Sequence, residues 1–213
     1  MKTLAEQRYS KLGPLVVKAL QARSFDAFYF DEPNDATEKI FSLIPKDHAV
    51  SWGGSKTLLD LGVQERLEKS GYNLLDRDKA ASAQERGEIM RRALLCDTFL
   101  CGVNALSEDG WLVNIDGYGN RVAAMIFGPK QVIIAAGMNK VAKTHDDALV
   151  RARTIAAPLN IQRFPNLETP CSYNGTCADC LSPDTICSFF VTTRFCKPAG
   201  RIKVILIGKD LGL

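Results

Sequence analysis

The sequence predicts an α/β fold, a mixed or parallel sheet flanked by helices, and three observations carry that reading. Strand-sized apolar runs alternate with helical stretches along the 213 residues, a rhythm that argues for βαβ units. Glycine-rich turns punctuate the ends of several runs. The composition, 46% hydrophobic and 24% charged, is that of an ordinary globular chain. At this length most apolar surface is buried without staples, which suits one α/β domain over residues 1–213.

The elements follow in order. Leu4, Tyr9, Leu12, Leu15, Val16, Ala19 and Leu20 recur at helical spacing within a segment of about residues 1–24, and Gly13-Pro14 is expected to split it into two helical pieces. Asp26–Phe30 is a short aromatic strand, and Asn34 or Asp35 is expected to cap a helix through Leu43. Ala49–Trp52 is a buried strand followed by Gly53-Gly54-Ser55 and a helix from near Thr57. Tyr72–Leu75 and Thr98–Val103 are strands around an amphipathic helix, Ser82–Leu95. Trp111–Ile115 and Arg121–Phe127 flank a glycine-rich loop, Asp116–Asn120, and are expected to form a hairpin, with Gln131–Ala136 as a third strand. A helix from about Asp146 to Ala157, capped by Thr144 or Asp146, precedes a cysteine-rich segment at about residues 170–188. Arg201–Ile207 is a final buried strand.

Charge and hydropathy remove several function classes. A net charge of +3 with both signs interspersed is not the footprint of a nucleic-acid binder. The longest apolar runs, Val122–Phe127 and Val132–Ala136, fall far short of the roughly 20 residues that cross a bilayer, so no membrane partner is expected. The first residues, MKTLAEQRYSK, turn polar before an apolar run develops, and the expectation is a cytoplasmic chain without a signal peptide. There thiols stay reduced. The seven cysteines, five of them in the last 43 residues, then fit metal ligands better than a disulfide framework.

Four constellations are suited to chemistry. Gly53-Gly54-Ser55-Lys56-Thr57 lies between a strand and a helix, where glycines allow close backbone approach and N–H donors face an anion. A tight βα turn with a capping serine is the equal alternative. Glu108, in Ser107-Glu108-Asp109-Gly110, is a candidate nucleophile or acid–base carboxylate, against a solvated turn. Gly137, Asn139 and Lys140 follow a strand at the edge where open α/β sheets bind ligands, with Asn114, Asn120 and Arg121 placed to face the same crevice. The ligand implied is a small anionic molecule. Cys171, Cys177, Cys180 and Cys187 form a C-x5-C-x2-C-x6-C set in a polar, turn-rich stretch, open to tetrahedral zinc or to a [4Fe–4S] cluster. Cys96, Cys101 and Cys196 read as structural, and the isolated His48 and His145 suggest neither a triad nor a metal site.

The stretches SWGGSKTLLDLG (Ser51–Gly62), EDGWLVNIDGYGNRVAAMIFGPKQVIIAAGMNKV (Glu108–Val141), CADCLSPDTIC (Cys177–Cys187) and GRIKVILIG (Gly200–Gly208) resemble the LUD (lactate-utilisation) domain family over nearly the whole chain. That resemblance implies a fold similar to the sugar-phosphate isomerase, glucosamine-phosphate deaminase and CoA-transferase group, with the ligand over the C-terminal ends of the strands. It implies that the loop resembling Gly53–Thr57 holds phosphate or a similar anion, and that an acid often does the chemistry. Glu108, in SEDG, matches the CoA-transferase glutamate only loosely and lacks its longer glycine context. Some members are linked genetically to oxidation of L-lactate to pyruvate beside iron–sulfur partner proteins. One subgroup carries four cysteines resembling Cys171, Cys177, Cys180 and Cys187, which favours [4Fe–4S] over zinc and leaves Cys196 outside.

Two functions follow as expectations. One is an iron–sulfur accessory or redox protein of lactate or organic-acid metabolism with an anion pocket. The other is an enzyme on a small phosphorylated or carboxylated substrate with a purely structural metal. Redox partner proteins and a homo-oligomer are the macromolecular partners considered, and nothing in the sequence names the substrate.

Overall fold

A computed structural model of the chain describes residues 2–213. The chain order is α1 (Leu4–Ala22), β1 (Asp26–Phe30), α2 (Pro33–Ser42), β2 (Ala49–Trp52), α3 (Lys56–Asp60), α4 (Val63–Lys69), β3 (Asn73–Leu75), α5 (Ala83–Arg92) and β4 (Thr98–Cys101). It continues through β5 (Ala105–Ser107), β6 (Leu112–Asp116), α6 (Asn120–Ile126), β7 (Gln131–Gly137), β8 (Val141–Ala142) and α7 (His145–Arg151). The last elements are α8 (Ala157–Ile161), α9 (Pro170–Asn174), β9 (Phe189–Thr193) and β10 (Ile202–Ile207).

Six strands form one sheet in the order β1-β10-β7-β4-β2-β3, every pair parallel. The expected α/β class, a mostly parallel sheet between helices, is what the chain adopts. A smaller four-stranded sheet, β8-β5-β6-β9, mixes parallel and antiparallel pairs. The main sheet buries both faces, as a parallel sheet must when helices cover it. Phe99, Ile134, Ala136, Val204 and Leu206 face Tyr9, Val16 and Leu20 of α1, Met125 of α6, and Leu106 and Leu112 of the second sheet. Leu100, Ile133, Ala135, Ile205 and Ile207 face Ala36 and Ile40 of α2, Leu58 of α3, and Val63 and Leu67 of α4. The period-two alternation along β7 and β10 divides their side chains between the two layers.

Three expectations are corrected. Arg121–Phe127 is no hairpin strand: Asn120–Ile126 is α6, started by Gly119 at φ +81. Ala123, Ala124 and Met125 are good helix formers, and Val122, Ala124 and Met125 are the buried positions. β6 pairs instead with β5 and with the distant β9. Gly13-Pro14 does not split the first helix, which runs unbroken through Pro14. An interior proline costs about 3 kcal/mol, whereas burying Tyr9, Val16 and Leu20 returns about 1.5–3 kcal/mol for each aliphatic side chain. The helix near Asp146 begins one residue earlier, with Thr144 and Asp147 in a capping box. It then runs past Ala157 through a π-helical turn at Ala152–Ala156 into α8. Pro158 has no N–H for the Thr154 carbonyl, and the wider turn relieves its clash there.

Smaller differences are α2 beginning at Pro33, without a side-chain cap, and the short β5, β8 and β9, which carry no strong alternation. No helix among the described residues is long and apolar enough to cross a membrane.

Gly13 shows how closely α1 lies on β1: an added Cβ would stand 2.2 Å from the Tyr29 ring. Gly13→Ala is therefore expected to destabilise by about 1–3 kcal/mol through overpacking. Gly87→Ala, whose Cβ has only Arg91 within reach, at 3.7 Å, is expected to stabilise α5 by about 0.5–1 kcal/mol. Urea-unfolding midpoints of the two variants should move in opposite directions.

Candidate functional site

Because β2, β4, β7 and β10 are parallel, their C-terminal ends share one edge, the place where open α/β sheets accept ligands. Four loops meet there: Gly53–Ser55 after β2, Gly102–Asn104 after β4, Met138–Lys140 after β7, and Gly208–Leu213 after β10. The glycines let these loops crowd together. An added Cβ at Gly102 would be 2.8 Å from Ser55 Oγ, at Gly53 3.1 Å from Arg121 Cδ, and at Gly54 3.0 Å from Arg77 Nη2. Ser55 is the N-cap of α3, its Oγ accepting from Leu58 N at 3.3 Å. The capping role and the crevice position coexist.

The edge is strongly cationic. Lys140 is buried, and Nζ donates to Thr57 Oγ1 at 3.0 Å and to the Val103 carbonyl at 3.3 Å, both neutral. No described carboxylate pairs with it within 4 Å. Arg163 donates to the Gly54 carbonyl at 3.1 Å. Arg77, on the turn after β3, reaches Gly54, and its Nε has no hydrogen-bond partner among the described residues. Arg151 on α7 donates to the carbonyls of Asn104 at 2.6 Å and Asn139 at 3.0 Å. Arg121 is the most engaged, donating to Asn114 Oδ1 at 2.5 Å, Asn104 Oδ1 at 3.1 Å and the Ile115 carbonyl at 2.7 Å, with Asp116 at 3.3 Å from its Nε. Asn114 is fully buried and its Nδ2 has no partner among the described residues.

The remaining sequence candidates occupy varied places. Lys56 is half exposed and ion-paired with Asp60. Asn120 opens α6 behind Gly119. Asn139 holds the Gly208–Leu213 segment, its Oδ1 accepting from Leu211 N at 3.2 Å, and Gly137 is packed against that same segment. Glu108 bonds to Lys143 at 2.6 Å and lies 3.7 Å from Arg8, beside a shallow groove along α1. No crevice group is among its partners. Arg77, Arg151 and Arg163 had no motif to announce them; distance in sequence hid their convergence.

Burial, with Arg151 and Arg121 nearby and only Asp60 opposing, pulls Lys140 down to about 8. The unfolded lysine titrates near 10.4, so between these values the unfolded chain holds the extra proton and stability rises with pH. The slope approaches about 1.4 kcal/mol per pH unit for a whole proton. Cys96 and Cys101, both pushed up to about 12 by burial, act in the opposite direction above pH 9. The difference in unfolding free energy between wild type and Lys140→Met isolates the lysine, and should grow in the wild type's favour from pH 8 to 10.

A second candidate lies at the far end of the helical run. Thr169 caps α9, placing Cys171 in its first turn with Sγ 3.4 Å from Thr169 Oγ1. Cys177 and Cys180 lie on the irregular chain beyond Gly175, and Cys187 just precedes β9. All four line one cavity of about 40 Å³, walled by Ile115, Arg153, Ala157 and Pro158. That exceeds the roughly 10–15 Å³ a water needs. All four are free thiols, and burial, with the other three cysteines, pushes Cys187 up to about 11. The donor chemistry suits a thiophilic metal or cluster. In this arrangement, however, no group of three or more His, Cys, Asp or Glu side chains among the described residues is placed to hold a metal ion. Cys96, Cys101 and Cys196 are buried elsewhere in the core, as expected.

Fold and edge together define an open α/β protein whose polar, cation-rich loops meet at the carboxyl ends of its strands. The LUD domain family matches residues 14–207, and the chain belongs to that family. A DUF162 family protein from Deinococcus radiodurans is similar in structure at 9% identity, with 93% of this chain and 97% of that one covered and a TM-score of 0.50. Ribose 5-phosphate isomerases from Plasmodium falciparum (15% identity, 52% of each chain, TM-score 0.34) and Neisseria gonorrhoeae (16%, 53% and 54%, TM-score 0.34) are looser likenesses. No curated protein matches the chain.

Proposed function

We propose that this LUD-domain protein binds a small carboxylated or phosphorylated molecule in the crevice at the sheet edge and carries an iron–sulfur centre on its cysteine segment. The observation that carries the first half is the charge imbalance: Arg77, Arg121, Arg151, Arg163 and Lys140 gather around Gly53–Thr57 and Gly102–Asn104, opposed by Asp78 beside Arg77, Asp116 beside Arg121, and Asp60. Asp60 is itself occupied by Lys56 and by Gly212 N. A buried ammonium without a carboxylate is costly unless an anion completes it, and guanidinium groups suit carboxylate and phosphate geometry. Gly53, Gly54, Ser55 and Thr57 would contribute backbone and hydroxyl donors to the same ligand.

For the second half, Cys171, Cys177, Cys180 and Cys187 are the residues that would hold the centre. Their sharing of one cavity supports a common ligand, and the family resemblance favours four-iron over zinc. When bound, such a centre supplies one-electron chemistry or a brace for the loop. Reduced thiols of this kind belong in the cytoplasm, and the organic-acid role follows the resemblance to lactate-utilisation proteins.

Two measurements test the two halves separately. Inorganic phosphate or oxalate should raise the melting temperature of the wild type by mass action, with the rise lost in Lys140→Met and reduced in Arg77→Gln. A wild type with no shift at millimolar anion sinks the pocket. Anaerobic purification should give iron, acid-labile sulfide and absorbance near roughly 400 nm, all lost in Cys177→Ser. Colourless protein with bound zinc replaces the cluster with a structural metal, and metal-free protein removes the centre altogether.

A further inference from the structure

We propose that Lys140 is an amine nucleophile that forms an imine with a small aldehyde or ketone bearing a carboxylate or phosphate. This rests on the anion-binding reading of the crevice and names the chemical class of its ligand. Lys140 Nζ has two hydrogen-bond partners, Thr57 Oγ1 and the Val103 carbonyl. A lysine held as an ammonium in a buried site is normally paired with a carboxylate; this one is surrounded by Arg121 and Arg151, whose charges oppose a second cation. The same surroundings ease loss of the ammonium proton, so that a fraction of Lys140 carries a free lone pair at neutral pH, the condition for a desolvated, nucleophilic lysine. The arginines that disfavour the ammonium also favour an anionic group on the incoming molecule. One end of the ligand is thus directed to guanidinium and the other to the amine.

The space such a carbonyl would enter is occupied by Gly212. An added Cβ there would be 2.3 Å from Thr57 Oγ1, 2.9 Å from Lys140 Nζ and 3.1 Å from Thr57 N. Leu211–Leu213 is held in place by one bond each from Leu211 N to Asn139 Oδ1 and from Gly212 N to Asp60 Oδ2, and by two from Arg151 to Leu213 O, all of 3.0–3.5 Å. This segment lifts to admit the ligand. The neutral amine then adds to the carbonyl carbon, and a proton shift gives the carbinolamine. The hydroxyl leaves with a proton as water, for which the Thr57 hydroxyl, 3.0 Å from Nζ, is the near donor. The nitrogen gives up both of its hydrogens, the carbonyl oxygen departs as water, and no oxidant or reductant is consumed.

The test treats the full chain at neutral pH with glyoxylate, and separately with glyceraldehyde 3-phosphate, each with cyanoborohydride to reduce any imine. Peptide mapping of the wild type is expected to find the adduct on Lys140 at a rate on the order of tenfold above exposed lysines such as Lys18. Lys140→Arg, which keeps the charge, should lose that adduct. Glycolate and inorganic phosphate, which have no carbonyl, are melting-temperature controls for the crevice, and the two carbonyl probes separate carboxylate from phosphate preference. A glycolate or phosphate shift with no adduct, or with adducts spread evenly over surface lysines, overturns the nucleophile and leaves the anion site standing. An adduct on Lys140 without a shift keeps the nucleophile and removes the anion site. Neither signal removes both.

Discussion

The parallel pairing of β4, β7 and β10 is the constraint on which the rest of this molecule depends. Strands hydrogen-bonded in one direction on both sides send every following loop to one edge, and need covering layers on both faces. Of the helices that cover those faces, α3 begins directly in the loop after β2. The meeting of these loops is therefore a consequence of topology before any polar side chain is placed. The candidates there reach the edge on several segments, the loops after β2 and β7 and the helices α6 and α7 among them, held by a core that buries both faces of the central strands.

Placing so many cations together has an energetic consequence of its own. Arg121, paired on one side with Asp116, ties the Gly102–Asn104 loop to β6 through further neutral acceptors, and Arg151 links that loop to the Asn139 carbonyl through neutral acceptors alone. Carbonyls and amides absorb guanidinium donors without cancelling their charge. The cations are thus only partly neutralised although most hydrogen bonds are satisfied, a condition that costs folding energy and that the proposed anion would relieve.

The fold was legible where the sequence pattern was strong. β1, β2, β7 and β10 follow from runs of apolar residues, and Thr144 announces its helix by capping chemistry. Val122–Phe127 misled because its apolar residues satisfy either period, and only tertiary packing decides such short runs. The glycine loop and Lys140 were legible because backbone approach and a strand-end position are local signals. The arginines were not, since convergence of residues 77, 121, 151 and 163 is a property of the folded chain alone. The four cysteines stand out by their spacing, and in the fold they line one cavity without any three being placed to hold a metal ion among the described residues.

The π-helical turn at Ala152–Ala156 has a mechanical consequence. Arg151, which grips the crevice, immediately precedes it; Arg153, 2.7 Å from Asp179 beside the cysteines, lies within it. A wide turn holds one residue more than an α turn. Absorbing that residue would rotate everything beyond it by about 100° and advance it about 1.5 Å. The segments on either side of that wide turn carry the two groups of candidate residues, and a change of register there would turn one relative to the other.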